Sequence, residues 1–216
     1  HSTSKIYEED DLKGIKSFGF RGEALPSIAS VSTVRMQSNN GQTSHEIIVN
    51  NGREEHFAPV ARNKGTTIQV MDLFLQVPAR LKYIKNIHYE SAIIIDVIQK
   101  FALAHPDVSF SLFNDDKKVF QSMGNGRIED VFYQVYGMDV AQNSLYFEEE
   151  NYDFKISGMM ALPEHSRSNR YAIWVYVNDR MIRYPKAQAA VVDAYRRHIA
   201  VDRFPIVVLK IETDPR

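Results

Sequence analysis

Residues 19–25 read Gly-Phe-Arg-Gly-Glu-Ala-Leu: two glycines bracket an arginine, and a helix-forming run starts at once. That arrangement can hold a phosphate on backbone amides. Gly19 and Gly22 carry no Cβ, so the chain there can take positive φ and turn successive N–H groups to one side. Glu23-Ala24-Leu25 opens a helix expected to reach Ser30, and the first amides of a helix lack intrahelical acceptors and carry partial positive charge. A polyphosphate suits such a spot. By itself the pattern is weak, because glycine turns before helices usually serve only the fold.

Two other segments carry the same chemistry. The chain opens His1-Ser2-Thr3-Ser4-Lys5, which sets hydroxyls beside an ammonium and makes a natural clamp for phosphate oxygens. Gly65-Thr66-Thr67 brings a Thr hydroxyl and a close backbone approach to the start of a strand. Other chemistries lose their markers. There is no Cys, hence no disulfide, thiolate zinc site or thiol nucleophile, which fits a reducing cytoplasm. The seven His show no HExxH spacing, and neither GxxxxGK[ST] nor GxSxG occurs. No apolar run approaches the length of a membrane span.

The elements that must position these residues can be read from periodicity and turns. Residues 31–37 and 45–49 alternate as strands around Asn39-Asn40-Gly41, and Asn50-Asn51-Gly52 is a second hairpin-type turn. Residues 65–71 form another strand. A long helix over 89–104 takes Ile94, Val97, Ile98 and Phe101 as its apolar stripe and ends before Pro106. Residues 108–113 and 118–121 make a hairpin across Asn114-Asp115-Asp116.

Ser122-Met123-Gly124-Asn125-Gly126 is the expected domain boundary, dividing the chain into 1–123 and 124–216. Beyond it comes a short helix from Ile128 that stops at Gly137, then paired strands at 145–147 and 154–160. Residues 171–177 are apolar on both alternating faces, which marks an interior strand covered on both sides. A turn at Asn178-Asp179 leads into Arg180–Arg183. Pro185 begins a helix with Ala187, Val191, Tyr195 and Ile199 inward, and 206–211 is a last strand. Both halves are α+β.

The net charge of −1 hides an asymmetry. Residues 107–153 hold three basic and ten acidic side chains, whereas 164–216 hold ten basic and six acidic. A local basic face rich in arginine suits phosphate contact. Arg180 and Arg183 stand just beyond a tight turn, on a hairpin rim, and are the candidate nucleic-acid phosphate contacts; Arg196 and Arg197 lie off the buried helix stripe. No base-reading motif accompanies them, so such binding would be sequence-independent and salt-sensitive.

Taken in order, His-x-Thr-Ser-Lys, Gly-Phe-Arg-Gly-Glu-Ala-Leu with Ser27-Ile28-Ala29-Ser30-Val31, Gly65-Thr66-Thr67, Asp72-Leu73-Phe74 and Pro78-Ala79-Arg80 resemble the MutL family of DNA mismatch-repair ATPases, over the whole chain. The resemblance implies the remainder of a GHKL-type ATPase sandwich, including its ATP lid, followed by a ribosomal-protein-like βαβ transducer domain. It implies ATP as ligand, with Thr3, Ser4 and Lys5 in the lid. Arg21, Gly22, Glu23, Ala24 and Leu25 would form the phosphate-facing turn, and Thr66 would reach the nucleotide from the sheet. It implies a homodimer that closes on ATP, binds DNA, and couples a mismatch-recognition protein to nicking, unwinding or excision factors in the bacterial cytoplasm, associated with the nucleoid.

Departures accompany the matches. Leu75-Gln76-Val77 replaces the usual Tyr-Asn-Thr, and Val177-Asn178-Asp179-Arg180 replaces Val-Asn-Gly-Arg. Asp tolerates left-handed turn geometry, so the hairpin is expected to survive. The general-base Glu, the Asn that holds Mg2+ and the adenine-reading Asp of GHKL enzymes would lie upstream of His1, and a γ-phosphate lysine beyond Arg216. The chain is therefore expected to be a piece of a longer protein, inactive as an ATPase alone. The alternatives are another GHKL enzyme such as a type II topoisomerase ATPase subunit, or a docking platform without catalysis.

Overall fold

The computed structural model describes Gly19, residues 22–84 and residues 86–214. Thr3, Ser4, Lys5 and Arg21, with the rest of the expected lid, lie outside the described residues. The chain divides into two compact units between Ile87 and His88.

In the first unit the helix α1 (Ala24–Ala29) leads into a sheet of β1 (Thr33–Asn39), β2 (Ser44–Asn50), β3 (Arg53–Pro59) and β4 (Gly65–Met71), then a single helical turn, α2 (Pro78–Leu81). Among the described residues the strand order is β3-β2-β1-β4, antiparallel throughout. Asn side chains close the β1–β2 turn: Asn39 Oδ1 accepts from Gly41 N at 2.7 Å and Asn40 Oδ1 from Thr43 N at 2.8 Å. Asn51 and Gly52, at φ 46 and 81, make the left-handed turn into β3 that the sequence signals. The helix is tied to the sheet through its last residues, as Gly52 N donates to Ala29 O at 2.9 Å and Ser32 Oγ to Ile28 O at 2.6 Å. Ala29 and Val34 are buried at this junction.

The second unit begins with the long helix α3 (Ile87–Ala104), the hairpin β5 (Ser111–Asn114) and β6 (Lys117–Gln121), and α4 (Ile128–Gln142). There follow β7 (Ser144–Glu150), β8 (Phe154–Ala161), β9 (Ile173–Val177), the short β10 (Arg180–Met181), α5 (Pro185–Tyr195) and β11 (Val207–Thr213). Among the described residues these strands form a sheet of order β10-β9-β11-β8-β7. β9 and β11 run parallel with α5 as the crossover, a βαβ unit inside a mixed sheet.

Helices cover both faces of β9, as its two apolar faces require. Trp174 and Tyr176 point to the core that holds Ala102, Leu103, Phe132, Met159, Ile206 and Val208. Ile173 and Val175 are buried on the opposite face, where Gln188 Nε2 of α5 donates to Ile173 O at 3.2 Å.

The compact units part ahead of the 122–126 segment, and α3 ends inside the second unit, where Ala102, Leu103 and Ala104 are buried together with Phe120 of β6. Two sequence expectations need correction. The stripe assigned to α3 is not its buried side, since Ile94, Val97 and Phe101 are exposed and only Ile98 of the four packs on the core. The helix is anchored instead by its last turn, where Leu103 is buried between Ala102 and Ala104. Finally, Gly137 does leave helical geometry, at φ 84 and ψ 171, but helix resumes beyond it to Gln142.

Candidate functional site

The phosphate-type turn keeps its donors open. Gly22 sits at φ 65, a conformation that favours glycine, and Glu23 takes the N-cap position of α1 without a side-chain cap. Pro26, the third helical residue, has no N–H, and the first bond that closes the helix is Ser27 N to Glu23 O at 3.0 Å. The donors left over are the amides of Ala24 and Leu25. Both residues are exposed, and neither amide meets a carbonyl among the described residues. Two orphan amides behind a left-handed glycine are what an anion needs. Thr66, on β4, is exposed, and its hydroxyl lies 2.9 Å from Ser38 Oγ across the β1–β4 ladder. No hydrogen bond or ion pair joins Thr66 to residues 22–25 among the described residues.

Asp72-Leu73-Phe74 and Pro78-Ala79-Arg80 serve the scaffold of this unit. Asp72 and Phe74 take left-handed φ of 56 and 63, and Phe74 N donates to Val31 O at 2.8 Å, just past α1. The Arg80 guanidinium stands 5.7 Å from the Phe74 ring centroid, a cation–π contact that links the two motifs. Leu75, at the first departing position, is exposed.

In the second unit Asn178 and Asp179 hold φ of 47 and 61, so the left-handed turn survives the replacement of glycine by Asp. Arg180 follows directly, paired with Val177 across β9–β10. Strand pairing is brief, and Arg183 lies past its end, exposed before α5. Asn178 fastens the turn: its Nδ2 donates to Thr213 O and its Oδ1 accepts from Thr213 N, both at 3.0 Å. Asp179 Oδ1 is 3.0 Å from Lys210 Nζ, which also donates to Ala104 O at 2.7 Å. Nothing in the sequence marks Lys210 and Asp179 as partners, for they are far apart in the chain. Arg196 and Arg197 are exposed at the other end of α5, and Arg196 pairs with Asp193 at 3.2 Å.

A sequence profile described as "DNA mismatch repair protein, C-terminal domain" matches residues 132–216. The "DNA mismatch repair protein MutL" of Staphylococcus epidermidis is 40% identical over 216 residues, covering 100% of this chain and 34% of that protein. The MutL of Listeria monocytogenes is 44% identical over 217 residues, with 100% and 36% covered. Along its whole length the chain is similar to proteins of the MutL family.

It spans about a third of the length of these curated relatives. Solved structures show the fold. The N-terminal domain of a DNA repair protein superposes with a TM-score of 0.78 at 23% identity, over 93% of this chain and 66% of that one. The Aquifex aeolicus MutL ATPase domain complexed with ADP gives 0.70 at 23% identity, over 97% and 77%. The MutL relationship is thus supported by sequence along the whole chain, and the topoisomerase alternative is set aside. Among the described residues no three His, Cys, Asp or Glu side chains converge as a metal ion would need.

Proposed function

We propose that this chain is the part of a MutL-type mismatch-repair ATPase that carries the phosphate-facing turn of the nucleotide site and the DNA-binding transducer. In this reading residues 1–123 are the later part of the GHKL-type ATPase domain with its lid, and 124–216 are the transducer. The βαβ unit of β9, α5 and β11 supports the second assignment. The reading rests on one observation, the exposed amides of Ala24 and Leu25 behind Gly22 at φ 65. Gly22, Glu23, Ala24 and Leu25 face the phosphates, joined by Arg21, Thr3, Ser4 and Lys5, with Thr66 approaching from β4.

The parent protein is a cytoplasmic, nucleoid-associated homodimer that binds ATP with Mg2+, closes on it, and reopens after hydrolysis. ATP populates the closed state because that state binds it better. The dimer couples mismatch recognition to downstream nicking, unwinding and excision, and holds DNA without sequence preference through Arg180 and Arg183. The chain by itself is inactive as an ATPase.

Titration of ATP into the intact protein and its Gly22→Val variant tests the site. A β-branched residue resists positive φ, so the variant is expected to lose at least about tenfold in affinity. Equal affinity for the two proteins would overturn the assignment. Turnover of ATP by the 216-residue chain at the rate of the intact protein would overturn the claim that the chain alone is inactive.

A further inference from the structure

The turn that carries Arg180 is held by a lysine from a neighbouring strand. Lys210 lies on β11, between β9 and β8, and its side chain is only 16% exposed. An ammonium in that position needs acceptors. It finds two: Ala104 O at 2.7 Å and Asp179 Oδ1 at 3.0 Å. Ala104 is the last residue of α3, where carbonyls lack helical donors and carry partial negative charge. Asn178, the other residue of the turn, is bonded twice to Thr213 on the same strand. Both turn residues are therefore tied to β11, one through charge and one through an amide.

The identity of Asp179 makes the pairing informative. Its φ of 61 favours glycine, and a glycine there could not reach Lys210. An acidic side chain next to a phosphate-binding arginine would by itself repel a phosphate. Held by Lys210, the same carboxylate is neutralised and becomes a fixed strut.

We infer that Lys210 is a positioning residue for DNA contact, acting through Asp179 to fix the direction in which Arg180 leaves the turn. This rests on the reading of Arg180 and Arg183 as the DNA-binding pair. The step is electrostatic and steric; no bond is made or broken. The sign of one substitution separates it from simple charge balance. Asp179→Asn keeps a residue that tolerates left-handed φ and removes one negative charge. If Asp179 were only an unhelpful charge near DNA, its removal would tighten binding. If it is a strut, its removal weakens binding even though the protein becomes more positive.

The experiment measures binding of a short blunt duplex of arbitrary sequence to the 216-residue chain and its variants at one fixed salt concentration, with thermal midpoints in parallel. Asp179→Asn is expected to weaken binding about threefold or more at unchanged midpoint. Lys210→Met is expected to weaken it as well, the double variant to be no weaker than the worse single one, and Lys210→Arg to retain affinity. Tighter binding by Asp179→Asn, or full affinity in the double variant, would overturn the inference while leaving the DNA-binding reading intact. An Arg180→Glu/Arg183→Glu protein that binds as well as the original would overturn that reading and the inference with it.

Discussion

The indole N–H of Trp174 donates to the Tyr136 hydroxyl at 2.7 Å, joining β9 to α4 across the core of the second unit. The contact belongs to a chain of polar links among apolar residues. Tyr136 packs tilted on Phe132 at 4.6 Å between ring centroids, Lys100 Nζ stands 4.2 Å over the Trp174 ring, and Tyr176 donates to Lys100 O at 2.9 Å. Three elements, α3, α4 and β9, are thereby fixed in register by directional bonds as well as by packing. Tyr136→Phe strands the indole N–H in a part-buried site, and the expected cost is about 1 kcal/mol by urea denaturation. Trp174→Phe in the same background is expected to add less than it does alone, because the shared bond is already gone.

The packed tyrosines of this unit also set an alkaline limit. Burial pushes the hydroxyls of Tyr136 and Tyr176 above the ordinary tyrosine range, and that of Tyr195 up to about 12. Each folded-state value is raised, so the stability it contributes is complete below the unfolded value of about 10. Above that pH the unfolded chain releases protons that the folded chain retains, and stability falls as pH rises toward the folded values. The thermal midpoint is expected to hold steady up to about pH 10 and to drop beyond it. Tyr195→Phe removes one titrating group and shallows the drop. It also removes the bond to Ala161 O at 2.7 Å, lowering the midpoint at neutral pH.

Gly158, in the middle of β8, permits no side chain. It takes φ of 152, and a Cβ built there would lie 1.8 Å from Val208 O on the neighbouring central strand. No rotamer relieves a clash with backbone. Gly158→Ala must part β8 from β11, and its expected cost is about 3 kcal/mol or more, read as a fall in denaturation midpoint or loss of soluble protein.

Legibility in the sequence followed local chemistry. β9 declared itself because Ile173 through Val177 are apolar on both faces, and the turns at Asn39-Asn40-Gly41, Asn50-Asn51-Gly52 and Asn178-Asp179 came with residues suited to left-handed backbone. β3 did not: Arg53, Glu54, Glu55 and His56 lie on an exposed edge strand, where no buried face forces alternation. The buried side of α3 was misread because the expected stripe stopped at Phe101, whereas the core takes Ala102, Leu103 and Ala104 of the last turn. At the phosphate-type turn the left-handed glycine and the missing N–H of Pro26 were both foreseeable, whereas the point at which the helix closes, Ser27 N to Glu23 O, became evident only from the hydrogen bonds. The Lys210–Asp179 pair had no local signature at all, because its partners meet only when β11 lies beside the β9–β10 turn.

Arg183 offers a test of whether the second unit holds DNA. It is exposed beyond the end of β10, just ahead of the α5 N-terminus, while Arg196 at the far end of α5 is already paired with Asp193 at 3.2 Å. The helix between them is 11 residues long, roughly 16 Å, so the two arginines report on different parts of the surface. A side chain that neutralises one phosphate releases condensed counterions, and its loss lowers the slope of log affinity against log salt by roughly 0.9. Arg183→Ala is therefore expected to weaken duplex binding equally for unrelated sequences and to reduce the salt slope by about that amount. Arg196→Ala is expected to change neither, since its partner carboxylate already neutralises it. If the two substitutions flatten the slope alike, binding is spread over both ends of α5, and the turn after β9 loses its special place in it.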